Sequence, residues 1–147
     1  MERQKNSLND FLNPHQQRSL FFTLYQLEQS FREAEEWLKG RKVEGILYSQ
    51  RLSLSKADRL AARQVIRKGL ELIADFAESL NFEKYNEDMS ATISALMNLQ
   101  WINLHDQHAA KHKRSGEVHS ELAKHLDPRI DELIAKTLRL AEIIRHK

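Results

Sequence analysis

The chain has no cysteine. Disulfides, thiolate nucleophiles and cysteine-ligated metals are therefore excluded. Glycine occurs four times and proline twice in 147 residues, so few turns are encoded and most of the chain is left for long helices between few loops. Strands lack their signature, because no period-2 alternation is bounded by turn residues. No internal repeat of about 20–50 residues and no low-complexity tract interrupts the pattern. No window approaches about 18 uninterrupted apolar residues, so no membrane span is predicted. Residues 1–6 lead into no long apolar run. The expectation is therefore no signal peptide and a cytoplasmic location.

What is present is 41% apolar and 30% charged residues with a formal net charge of +2. That balance belongs to a folded chain and not to a disordered one. The length suits a single domain over 1–147, with residues 1–12 as a flexible or loosely packed N-terminal segment. Such a chain buries roughly two thirds of its unfolded surface, enough for a core without staples.

Four long amphipathic helices follow from the apolar spacing. Asn13 caps the first and Pro14 occupies its first position, where a missing N–H costs nothing. Leu20, Leu24, Leu27, Phe31, Ala34 and Leu38 form its seam, and Gly40 lies just past its end. A connector over 41–54 contains Ile46, Leu47 and Tyr48. The second helix begins at Ser55, with Ile66, Leu70, Ile73, Ala77 and Leu80 inward, Val65, Leu72 and Phe76 widening the seam, and Asn81 as its stop. The third runs from about residue 87 to about 113, with Met89, Ile93, Leu96, Met97, Leu104 and His108 on one side. A short extra helix is expected over 117–125. Asp127 and Pro128 then open the fourth long helix, whose seam is Ile130, Ile134, Thr137, Ala141 and Ile144. The predicted fold is all-α, an up-and-down four-helix bundle with a short extra helix between the third and fourth helices.

Three features depart from a plain bundle. Phe21, Phe22 and Tyr25 project about 100° or more from the centre of the first seam, and Leu99 and Ile102 lie far from the third. A clustered second apolar face marks an interface unless the connector covers it. Lys56, Arg59, Arg63 and Arg67 fall within about 80° on the second helix. Nine Lys or Arg stand between residues 39 and 68 against Glu44 and Asp58. Pairing with the acidic end of the first helix (Glu28, Glu33, Glu35, Glu36) accounts for this stripe, and at least two of its three arginines are expected beside a carboxylate. The alternative is phosphate-backbone binding. His105, His108 and His112 share one face of a continuous helix, the spacing by which a helix offers imidazoles to zinc, nickel or copper. No Glu-x-x-His accompanies them. The bland expectation has the three rings in separate environments, with His108 partly buried.

Arg114 and His119, with four residues between them, resemble the Arg-x(4–6)-His motif of the HEPN family of helical ribonucleases. The resemblance implies an arginine and a histidine acting on a scissile phosphate across a dimer. Ser115 stands where that family favours Asn, Asp or His, and Gly116 breaks the helical frame. No Ser-His-Asp signature, phosphate-cradling glycine loop or paired-carboxylate pattern is present. No catalytic residue and no cofactor are assigned. The sequence reading is a non-enzymatic, self-associating interaction or scaffold protein. Its interface would be Phe21, Phe22, Tyr25, Leu99 and Ile102, in a homo-oligomer or with a partner protein and without a membrane. The alternatives are a nucleic-acid-binding bundle and a metal-binding bundle.

Overall fold

A computed structural model describes residues 8–145. The chain is all-α apart from one two-residue ladder. Its contacts divide it into two units, one ending at Lys84 and the other beginning at Tyr85.

In the first unit, α1 spans Pro14–Leu38 and α2 spans Lys56–Ser79. Asn13 and Gln16 form a reciprocal capping box, each side chain accepting the other's backbone N–H at 2.9 Å. Ser55 caps α2 by accepting the Asp58 N–H at 3.1 Å. The ends are as well marked as the starts. Gly40 takes φ of 75° after α1, and Asn81 takes φ of 53° after α2. Phe82 N–H donates to the Ala77 carbonyl and Asn81 N–H to the Glu78 carbonyl, the Schellman arrangement that satisfies the last carbonyls of a helix. Of residues 1–12, expected to be loosely held, 1–7 lie outside the described residues. Leu8–Phe11 form a 3-10 turn, and the Asn9 amide donates to the Leu80 carbonyl at 2.7 Å.

The two helices run antiparallel. Phe21 meets Phe82 edge to face at 5.3 Å. Further along, a Cβ placed on Gly69 would lie 2.6 Å from the Phe31 ring, so the glycine admits that ring. The α2 seam packs as expected, with Ile66 and Leu80 buried and Leu70, Ile73 and Ala77 half-buried. Val65, Leu72 and Phe76 do not widen it; they stay exposed. In α1 the packed stripe is rotated from the expected seam. Leu27 is exposed, whereas Phe21 and Tyr25 are half-buried beside Leu20 and Leu24. The rotation follows from size, because turning Phe21 inward removes more apolar area from water than Leu27 offers.

Between α1 and α2 the connector forms a small hairpin, β1 (Val43–Glu44) paired antiparallel with β2 (Ser49–Gln50), Val43 opposite Gln50. Gly45 N–H donates to the Tyr48 carbonyl at 2.8 Å and closes its turn. Among the described residues the tip covers nothing: Ile46 is 100% and Leu47 94% exposed.

In the second unit, α3 spans Met89–His105 and α4 spans Leu122–Arg145. The Asp88 carboxylate caps α3 through the Ser90 N–H. The helix stops at His105, earlier than the periodicity suggests, with Asp106 as its last cap. Asn103, His105 and Asp106 are weak helix formers, and an aspartate at a C-terminus opposes the helix dipole. The short extra helical piece lies at Ala109–Ser115 as a 3-10 segment, not at 117–125. Pro128 sits inside α4, not at its first position. Asp127 does accept a backbone N–H, but that of Ala109 at 2.8 Å and not one from its own helix. The inward residues of α4 are those expected, with Ile130, Ile134 and Ala141 buried and Thr137 and Ile144 half-buried. In α3 the packed residues are Ile93, Met97, Trp101 and Leu104, while Met89 and Leu96 are half exposed.

Candidate functional site

The histidine region follows from the early end of α3. His105 closes that helix, His108 precedes the 3-10 segment and His112 lies within it. The continuous helical face that would have presented all three rings together is therefore absent, a correction to the periodicity. His105 and His108 still meet edge to face at 5.3 Å. The His105 ring also meets Trp101 at 4.9 Å. His112 Nε2 lies 3.0 Å from the Gln107 carbonyl oxygen. Among the described residues no group of three histidines, aspartates or glutamates is gathered that would hold a metal.

His108 is instead part of a clasp. Its Nε2 lies 2.7 Å from Asp131 Oδ1 and its Nδ1 3.2 Å from the His105 carbonyl oxygen. A neutral imidazole donates from one nitrogen only, so two acceptors favour the doubly protonated ring. The hydrogen bond to Asp131 holds the His108 pKa above its ordinary value. Desolvation opposes it, while the His105 carbonyl and the charges of Asp131 and Asp127 add to it. With Asp127 holding the Ala109 N–H, two carboxylates of α4 fasten the segment that follows α3.

Arg114 and His119 are not in one helical frame. Arg114 lies in the last turn of the 3-10 segment, and His119 lies in the loop beyond Gly116, its Nδ1 accepting the Glu121 N–H at 3.1 Å.

The basic stripe on α2 is not paired as expected. Among the described residues, no carboxylate lies within ion-pair distance of Lys56, Arg59, Arg63 or Arg67. Two of the acids at the end of α1 find nearer partners. Glu28 pairs with Arg32 at 3.1 Å and Glu36 with Lys39 at 2.5 Å, because residues three or four apart on one helix are already neighbours. The Lys39 hydrogen bond and charge hold the Glu36 carboxyl below its ordinary pKa, with Arg41 adding to the effect. Lys56 and Arg67 are exposed, and Arg59 and Arg63 half-buried. The Arg59 guanidinium lies where a side chain on Gly40 would begin, which joins the head of the stripe to the end of α1. Its Nε is buried without a hydrogen-bond partner.

Beside that junction, the end of α1 and the hairpin enclose a cleft of about 540 Å³, within the size range of small-molecule sites. Trp37, Val43 and Leu52 supply its apolar walls; Arg41, Arg51 and Gln50 supply its polar ones. Glu36 also lines it, with its charge taken up by Lys39. Trp37 is 55% exposed. Neither Arg41 nor Arg51 has a carboxylate at ion-pair distance among the described residues. Trp37, Arg41, Gln50 and Arg51 were not singled out by spacing. The available signal was a tryptophan at a helix end followed by a run of cations in an irregular connector.

The expected interface residues divide between the units. Phe21 and Tyr25 are half-buried within the first, Phe21 stacked on Tyr25 at 6.1 Å and set against Phe82. Phe22 is exposed there. In the second, Leu99 and Ile102 are each 52% exposed. α3 holds no Asp, Glu, Lys or Arg in its 17 residues. No helix among the described residues is long and apolar enough to cross a membrane. No family model, no curated protein and no solved structure matches the chain.

Proposed function

We propose that the chain is a non-enzymatic helical interaction module that associates with copies of itself through the outer face of α3. The observation that carries this reading is the composition of α3. It lacks Asp, Glu, Lys and Arg along its whole length in a protein that is 30% charged. A helix with apolar residues on every side and no charged ones is normally buried on every side. Here α4 packs on one side, while Met89, Leu96, Leu99 and Ile102 remain half exposed. Returning such residues to an apolar contact stabilises by about 25 cal/mol per Å² of apolar surface.

Sedimentation equilibrium at micromolar concentration tests the reading. The expected mass exceeds that of one chain, and Leu99→Lys combined with Ile102→Lys lowers it while helicity is retained. A native protein sedimenting at 17.3 kDa across that range overturns the reading.

A further inference from the structure

We propose that the cleft between the end of α1 and the hairpin takes one nucleotide of a single-stranded nucleic acid, with the rest of the strand running along the cations of α2. This inference is independent of the self-association through α3 and rests on residues of the first unit alone. An exposed indole beside guanidinium groups is the chemistry that holds an unstacked base: the base lies on the ring and the phosphate meets the cations. Trp37 supplies the platform, 55% exposed in a cleft of about 540 Å³. Arg41 and Arg51 line the same cleft and face no carboxylate within ion-pair distance among the described residues. Gln50 offers both a donor and an acceptor to a base edge, and Val43 and Leu52 provide apolar walls for its rim. Glu36 does not oppose the anion with a free charge, because Lys39 is bonded to it at 2.5 Å.

The cleft continues into the stripe. Arg59 lies against Gly40, three residues beyond Trp37, and carries an N–H with no acceptor. Lys56, Arg63 and Arg67 flank it on the same side of α2. Helical rise spaces these four cations by about 4.5–6 Å along the axis, so an extended strand leaving the cleft meets successive positive charges. Had the stripe served to bind α1, the acids of α1 would be its partners; among the described residues none lies within ion-pair distance of it, and Glu28 and Glu36 pair with Arg32 and Lys39 instead. A duplex does not fit the scheme, because its bases are stacked inside and leave the indole no free face.

The test uses the full chain carrying Trp101→Phe, which leaves Trp37 as its single tryptophan. Adding a 12-nucleotide single strand is expected to quench the Trp37 fluorescence. In anisotropy titrations of the same labelled strand, Trp37→Ala weakens binding roughly 5- to 150-fold, the range that follows from losing one stacked base. Trp37→Phe, which keeps a ring, restores most of that loss. Arg41→Ala with Arg51→Ala lowers the slope of log K against log salt by about 1.4. Three further ligands separate the sources of affinity. The matching duplex and inorganic polyphosphate are both expected to bind more weakly than the strand and without quenching. Adenosine monophosphate is expected to quench but to bind far more weakly than the strand. Quenching by the mononucleotide at the strand's own affinity would overturn the path along α2. Equal binding of strand, duplex and polyphosphate, unmoved by Trp37→Ala, would overturn the cleft altogether. Should Trp101→Phe unfold the chain, the anisotropy arm on the native tryptophans decides by itself.

Discussion

In the N-terminal pair, α1 and α2 come together where the Phe31 ring fits against Gly69, with Phe21 and Phe82 meeting edge to face nearer the chain's start. In the C-terminal pair the buried side chains of the long helices are all on α4 (Ile130, Ile134, Ala141), and carboxylates from the same helix fasten the segment following α3. One pair is set by a notch that has no room for a methyl group. The other is set by an aliphatic stripe and a polar clasp. The difference teaches where each is vulnerable: added volume harms the first pair, whereas lost volume or lost charge harms the second.

The largest expected effect is truncation of the stripe. Ile134→Ala, at a position 7% exposed, should cost about 2–5 kcal/mol in urea denaturation. Leu133→Ala, one residue away at 53% exposure, should cost about 0.5 kcal/mol. Equal losses at the two positions would mean that the outer side of α4 is as well covered as the inner, and the comparison would fail.

Gly69→Ala probes the notch. In an open helix interior this change is favourable by about 1 kcal/mol. Here the new Cβ meets the Phe31 ring, and overpacking of this kind costs about 1–3 kcal/mol. The expected result is a net loss of about 1 kcal/mol, a fall in Tm of about 4–8 °C for a unit of this size. In a Phe31→Ala background the sign should reverse. A stabilising Gly69→Ala in the native background would show that the ring swings aside at no cost.

The smallest effect, and the most specific to the C-terminal pair, is the pH dependence of the clasp. His108 has its pKa raised above the ordinary 6.5 by the Asp131 hydrogen bond. Its contribution to stability is therefore fully present below that ordinary value and is lost as pH rises through the raised one. The stability gap between the native chain and His108→Gln should narrow as pH rises above the ordinary 6.5 and through the raised pKa. A gap that widens over this interval would show that the neutral ring is the one the fold prefers.

How much of this was legible depended on how uneven each helix is. The central seams of α2 and α4 were read correctly, because apolar residues recur most regularly in one direction there, but Val65, Leu72 and Phe76 do not widen the seam of α2. The caps at Asn13 and Ser55 were equally plain, since a side-chain oxygen before a helical run has a local role. In α3 Ile93, Met97 and Leu104 pack as read, but Met89 and Leu96 stay half exposed and Trp101 packs unforeseen, because a helix with apolar residues on every side carries little directional signal. The same blindness applied to Phe21, which looked like an outer residue until Phe82 closed over it. The histidine spacing rested on a helix that ends too soon, and the ion pairs expected between α1 and α2 did not form, Glu28 and Glu36 having nearer partners along the chain.

The sequence by itself determined the helical class, the positions of three of the four long-helix starts and the inward residues of α2 and α4, because periodicity and capping act over a few neighbouring residues. Only the tertiary structure decided which side of α1 and α3 turns inward, where Asp127 spends its carboxylate, and that Trp37, Arg41 and Arg51 line one cleft. Those outcomes depend on groups that neighbour each other in space and not along the chain, and no local spacing encodes them.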